Sequence, residues 1–331
     1  MVDNETFFYI RRTRARPPGR AGEDERRQTY GTALEQFEEL IGAAAAASPG
    51  VRPLPLFYAL SQAGRAITAA YLPEGWKPAA HGLSCQDLSP ASVLDVDVRI
   101  WKADPSKPDS FNAVSQAIAS ETPSEPVKLG ALWAALPEVG RLIADAPGVQ
   151  QWPDALLVLP HEDVMSPLWD ASRVNASLIS TRHPHGVTLA DALDVYPYSD
   201  VVRAKQINDG STVATHTPRG LALDVSWPSE EANLTGRHNT LDRIVPSAPG
   251  GDRWWRPRVG GAAMSDLMLW WVLLFGLSML ARYEPAGWNA MLDLDGNELA
   301  AHLVRLMDAA VDVVPWLVLQ VLEPDYVIAV S

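Results

Sequence analysis

Leu267-Met268-Leu269-Trp270-Trp271-Val272-Leu273-Leu274-Phe275-Gly276-Leu277-Ser278-Met279-Leu280-Ala281 is the stretch on which the fold turns, because Ser278 is its one polar side chain. An apolar run with no polar face is either a membrane span or a helix buried on every side. At roughly fifteen residues it falls short of the ~20 that a span needs. Ser265 and Asp266 close it on one side, Arg282 and Glu284 on the other. It therefore reads as a helix enclosed by protein, and other segments must supply the enclosure.

Two segments near the N-terminus have the right pattern. From Asp24 to Ala47, Tyr30, Leu34, Phe37, Leu40 and Ile41 recur at helical spacing, with Glu35, Glu38 and Glu39 between them, until Ser48-Pro49-Gly50 stops the run. A second helix, rich in Ala and Leu, runs from about Leu54 to Leu72 and ends at Pro73-Glu74-Gly75. After Ala262 the helical signal returns and persists to Glu323, broken at Pro285 and at the Asp293-Leu294-Asp295-Gly296-Asn297 turn. Between these ends the pattern changes. Val93 to Trp101 alternates as a strand does, Leu129 to Ala146 reads as short helices split at Pro137, and 150–260 carries short apolar runs such as Ala155–Leu159 and Leu221–Val225. The expected fold is α+β and predominantly helical, with N- and C-terminal helices packed together around a core. The predicted organisation is an Arg-rich arm over 1–23 and one globular domain over 24–331, helical in 24–72, mixed in 73–261 and helical in 262–323.

Composition narrows the class. With 47% hydrophobic and 20% charged residues, the 331-residue chain can bury a large core. Its twelve Trp residues point to packing, each indole N–H needing an acceptor. A net charge of −13 repels nucleic acid and anionic lipid over most of the surface. The exception is the run Arg11, Arg12, Arg14, Arg16, Arg20, Arg26 and Arg27, which reads as a solvated arm rather than a nucleic-acid contact. The single cysteine, Cys85, rules out an internal disulfide and fits a reducing, cytoplasmic compartment. No signal-peptide pattern precedes the Arg run.

Arg52-Pro53-Leu54-Pro55-Leu56-Phe57-Tyr58-Ala59-Leu60-Ser61-Gln62-Ala63-Gly64-Arg65-Ala66-Ile67, then His81-Gly82, then Leu277 to Glu284 with Trp288, resemble in their order and spacing the hallmark segments of the YaaC-like family. Val127 to Trp133 with Pro137-Glu138 resembles its middle portion. The resemblance implies a bacterial cytosolic protein and supplies no mechanism.

The chemistry concentrates on a pair of short echoes. Leu60-Ser61 with Arg65, and Leu277-Ser278 with Arg282, both place Ser and Arg four apart, on one helical face. An unpaired guanidinium in apolar surroundings costs several kcal/mol, so each Arg must meet a carboxylate, carbonyls, water or an anion. The candidate cluster is Ser61, Gln62, Arg65, His81, Ser278, Arg282, Tyr283 and Glu284, with Tyr58 beside it. It is either an ion-pair network tying the ends of the chain together or a cradle for a phosphate or carboxylate. The partner it suggests is an anionic small molecule, with no membrane, and the net charge disfavours nucleic acid. An enzyme acting on a phosphorylated small molecule or nucleic acid is the alternative, with His81 or Glu284 moving a proton. The catalytic residue is otherwise unknown.

Other motifs say less. A thiol and imidazole pair at Cys85 and His81 needs a helix that Pro78 and Gly82 discourage. His183 and His185 could chelate a metal with Asp191 or Asp194, but zinc-type spacing is missing, so neither metal nor cofactor is expected. No phosphate-binding Gly-x-x-x-x-Gly-Lys loop, dinucleotide Gly-x-Gly-x-x-Gly or Gly-x-Ser-x-Gly elbow occurs. The C-terminal run Trp316 to Leu322 leaves room for a homodimer surface.

Overall fold

The computed structural model describes residues 4–89, 91–140, 148, 151–161, 173–180, 193–200, 202–204, 214–217, 220–229, 241, 245 and 252–323. The fold is α+β and predominantly helical, with two small antiparallel sheets. Where the sequence reads as a single domain over 24–331, the chain divides into two compact units, each with its own interior. One comprises 1–133, 145–149 and 259–330, the other 134–144 and 150–258.

In the first unit, α1 (Asn4–Ala15), α2 (Asp24–Ala46) and α3 (Pro53–Tyr71) pack with the C-terminal α7 (Asp266–Tyr283) and α9 (Ala300–Leu322). Helix α7 is the apolar run. By length and composition it could cross a membrane, but 78% of that window is buried inside the protein. Close approach makes this burial possible. A Cβ on Gly64 of α3 would fall 2.4 Å from Cη2 of Trp271, and one on Gly276 of α7 would fall 2.6 Å from Cδ2 of Leu129. Gly64 must lack a side chain for α3 to seat on α7, and Gly276 must lack one for α7 to seat on Leu129 and Val98.

Polar ties join the two ends of the chain. Arg52 pairs with Asp308 of α9 and donates to Ala47 O, the Trp288 indole N–H donates to Gly50 O at 2.9 Å, and Tyr71 Oη donates to Val321 O at 2.9 Å. Trp288 belongs to α8 (Pro285–Met291), which starts at the break read from Pro285.

The predicted Arg-rich arm is a correction. Residues 4–15 form a helix whose Phe7, Ile10 and Thr13 are buried, with Tyr30 Oη donating to Thr13 Oγ1 at 2.6 Å. Its cations meet carboxylates already on α2 and at the end of α9: Arg11 with Glu38, Arg14 with Glu35 and Arg12 with Glu323. Arg26 is the deepest, 4% exposed, and donates to Ala69 O, Leu72 O and Pro73 O at the C-terminal end of α3. That helix end carries partial negative charge and unpaired carbonyls, which a guanidinium satisfies.

A three-stranded sheet of β1 (Leu83–Cys85), β2 (Asp97–Ile100) and β3 (Val127–Lys128) completes this unit with α4 (Ser110–Ala117) and α5 (Leu129–Ala135), the register pairing Leu83 with Ile100. The strand predicted over 93–101 is shorter, since Val93–Asp95 is a 3-10 turn capped by Ser92.

The second unit begins with the end of α5 and the short α6 (Pro137–Gly140) and is built on antiparallel strands, as the short apolar runs of 150–260 suggest. Strands β4 (Leu156–Pro160), β5 (Arg173–Ser180), β6 (Arg203–Ala204), β7 (Ala214–Thr217), β8 (Gly220–Pro228) and β9 (Arg253–Trp255) run in the order β6-β8-β5-β4-β9, with β7 also on β8. Val158, Val174, Ala176, Trp227 and Trp255 make one side of its core with Tyr196. The expectation that every indole finds an acceptor holds for Trp255 and Trp288, but those of Trp133, Trp227, Trp270 and Trp271 have none among the described residues. Their apolar burial outweighs one unmade hydrogen bond each.

Candidate functional site

Helix periodicity sets the two walls of the site. On α3 the buried positions leave one open stripe carrying Tyr58, Gln62 and Arg65, with Ser61 at its edge. On α7 burial is all round until the last turns, where Met279, Arg282 and Tyr283 emerge in line with Phe275. The two helices pack together, and a cavity of about 430 Å³ opens between these stripes and the segment Pro78–Cys85. Ser61, Arg65, His81, Arg282 and Tyr283 all line it.

The third wall is a laced loop. Ala79 N–H donates to Pro108 O, Ser110 N–H to Ala80 O and Phe111 N–H to His81 O, so the loop runs beside the entry to α4. Asp109 caps α4 by accepting from Asn112 N at 2.9 Å. Gly82 has φ +81° and lies flat against that carboxylate, where a Cβ would sit 1.9 Å from Oδ1. The His81-Gly82 pair is therefore a fixed corner: Gly82 permits the turn, and His81 is aimed by it. The imidazole packs edge-on against Phe57 at 5.3 Å and near Phe275 at 6.5 Å.

Electrostatics connect the three charged groups. Partial burial, then the Arg282 and Arg65 cations, hold His81 below its ordinary value, so the imidazole is neutral near pH 7. Here the sequence expectation needs correcting. Arg65 and Arg282 are exposed to solvent, and among the described residues neither meets a carboxylate, so the ion-pair network is absent there. Arg282 instead lies over the Tyr283 ring, 4.9 Å from its centroid, and donates to Tyr283 Oη at 2.9 Å. The apolar neighbours that suggested a dry setting belong to the other faces of the same helices.

The remaining predicted residues separate. Ser278 is buried and donates to Phe275 O at 2.7 Å, so its hydroxyl serves its own helix and the two Leu-Ser-Arg echoes differ in structure. Gln62 and Tyr58 share the open face of α3 but do not line the cavity. Glu284 is exposed, caps α8 and makes no ion pair among the described residues. Cys85 lines the cavity, yet burial and Asp97 push its thiol up to about 12, which leaves no thiolate near neutrality. His183, His185 and Asp191 lie outside the described residues. Among the described ones, no three His, Cys, Asp or Glu side chains converge on a metal position.

Two features escaped the sequence reading. Trp101 reaches the cavity from the end of β2, a position the alternation of 93–101 assigns to a strand and not to a site. In the second unit, Ser177 Oγ donates to Asp224 Oδ1 at 2.7 Å and lies 2.8 Å from His161 Nε2. A carboxylate only accepts, so the serine proton goes to Asp224 and the imidazole donates to the oxygen. A nucleophilic serine needs the reverse order, with its proton on the imidazole. These three groups form a cross-strand polar ladder.

No curated protein and no solved structure matches the chain. The profile of the YaaC-like protein family matches residues 9–322, spanning both walls of the cavity and its loop. The chain thus belongs to the YaaC-like family, as the segments around Arg52–Ile67, His81-Gly82 and Leu277–Glu284 imply.

Proposed function

We propose that this is a cytosolic bacterial ligand-binding protein whose cavity between α3 and α7 takes an anionic small molecule. The observation that carries the reading is that Arg65 and Arg282, which meet no carboxylate among the described residues, line one cavity with Ser61 and a neutral His81. Two planar cations on facing helices, fixed by packed backbone, match the two or three oxygens of a carboxylate or phosphate. Each charge-assisted hydrogen bond contributes about 1.5–3 kcal/mol. The cavity is open, so salt weakens the attraction. The net charge of −13 leaves little surface for nucleic acid, and most of the N-terminal arginines are already bonded within the protein. The lone Cys85 supports a reducing compartment.

Calorimetric titration of the full chain with inorganic pyrophosphate tests this. Binding is expected to weaken roughly tenfold or more in Arg65→Met and in Arg282→Met, and to vanish in the double variant. No binding by the unmodified protein, or equal binding by the double variant, would overturn the proposal. One feature favours a catalytic version: His81 lines the cavity with both arginines, where burial and the two cations favour the neutral imidazole that a general base requires. Turnover of a phosphorylated substrate that disappears in His81→Gln, with pyrophosphate affinity kept, would distinguish it from binding alone.

A further inference from the structure

The cavity also carries aromatic surface that its charge does not explain. Trp101 stands at its edge with 45% of its surface exposed, although an indole is among the most favourable side chains to bury. It is rigidly mounted. Its backbone N–H donates to Gly82 O at 2.9 Å, its carbonyl accepts from Asn112 Nδ2 at 3.0 Å, and its indole N–H donates to Ser84 Oγ at 3.3 Å. Tyr283, 55% exposed, lines the same cavity with the Arg282 guanidinium against its ring. A sugar phosphate or a simple carboxylate would use the arginines but has no planar π face to stack on the indole. A ligand with a planar ring at one end and an anion at the other uses both arginines and the open Trp101 face, and a cavity of about 430 Å³ has room for one ring, one sugar and one phosphate.

Resting on the anion-binding reading above, we infer that the ligand is a nucleoside monophosphate. Its phosphate lies between Arg65 and Arg282, and its base stacks on Trp101. The choice of a single nucleotide follows from the dimensions and from the charge. The cavity is bounded by two helices and a loop, and the strongly acidic chain offers no basic track among these elements along which a longer strand could run.

The test is calorimetry on the full chain with adenosine 5′-monophosphate and ribose 5-phosphate, which share the phosphate and differ in the ring. The unmodified protein is expected to bind the nucleotide at least roughly tenfold more tightly. Trp101→Ala should bring the two affinities together, and Trp101→Phe should keep most of the difference. Because Trp101 is a surface side chain, the fold survives both changes, as unchanged circular dichroism will show. Equal affinities in the unmodified protein, or a nucleotide preference that persists in Trp101→Ala, overturn the stacking proposal. Those results leave the anion site standing provided both ligands are lost in the Arg65→Met, Arg282→Met double variant. Failure of both ligands to bind the unmodified protein removes the anion reading and this inference together.

Discussion

Gly64→Ala should destabilise the first unit, although alanine is the better helix former. In an exposed helix interior, exchanging glycine for alanine gains about 1 kcal/mol. At position 64 the new methyl would meet Trp271 Cη2 at 2.4 Å, Trp271 Cζ3 at 2.9 Å and Val114 Cγ2 at 2.9 Å. Trp271 is 1% exposed, so its ring has no free volume to move into. Overpacking of this kind costs about 1–3 kcal/mol, and two rigid neighbours place this case toward the upper end. The net expectation is a loss of about 1–2 kcal/mol. Gly42 on α2, with nothing within 4 Å of its added methyl, is the internal control and should gain up to about 1 kcal/mol as alanine. With two compact units, one melting temperature does not isolate the effect. Hydrogen–deuterium exchange read by peptide does. Gly64→Ala should speed exchange in α3 and α7 while leaving β4, β5 and β8 unchanged. Pyrophosphate affinity should fall as well, since the same contact sets the separation of the two arginines. Equal stabilisation by Gly64→Ala and Gly42→Ala would refute the argument that α3 and α7 depend on this contact.

Further expectations follow from the same geometry. Arg26→Met should cost about 2–3 kcal/mol in urea denaturation, because three carbonyls at the end of α3 lose a charged donor in a buried position. Retained stability would show that water replaces the guanidinium there. Cys85 should resist iodoacetamide at pH 8, reacting far more slowly than a free thiol, since burial and Asp97 keep it protonated until about pH 12. Rapid labelling of the native protein would contradict that. His81 affects stability with a definite sign. Its folded value lies below its unfolded one, so the unfolded chain binds more protons in the window below about pH 6.5. Stability is full above that window and declines as pH falls through it, and pyrophosphate, by favouring the imidazolium, should offset the decline. A decline that pyrophosphate leaves unchanged would count against the anion site.

The sequence revealed elements more readily than environments. The all-round apolar run of α7 could be read because no polar face offered an alternative, and the breaks at Ser48-Pro49-Gly50 and Pro285 are visible because proline disfavours the helical conformation in the residue before it. The two similar segments suggested helices lying side by side, and α3 does pack on α7 with Arg65 and Arg282 both on the lining of one cavity. Their surroundings were not legible. Apolar neighbours in sequence lie on other faces of a helix, so the composition around Arg65 described the buried side of α3 and said nothing of the stripe through Tyr58, Gln62 and Arg65. The first 23 residues misled for a related reason. Their many arginines masked Phe7 and Ile10, whose spacing of three is that of a helix face, and the glutamates that pair with those arginines lie far along the chain, on α2 and at the end of α9. Trp101 had no signal of its own, since a tryptophan at a strand end reads equally well as core.

The most direct test is the titration of the His81 imidazole, followed by nuclear magnetic resonance and assigned with His81→Gln. The imidazole should titrate below the ordinary 6.5 in the free protein, because of burial and of Arg282 and Arg65, and its value should rise when pyrophosphate is added. In the Arg65→Met, Arg282→Met double variant it should stand higher from the outset and ignore pyrophosphate. An imidazole that titrates at or above 6.5 in the free protein, or one indifferent to millimolar pyrophosphate, would contradict the claim that these two cations and this histidine form one anion site.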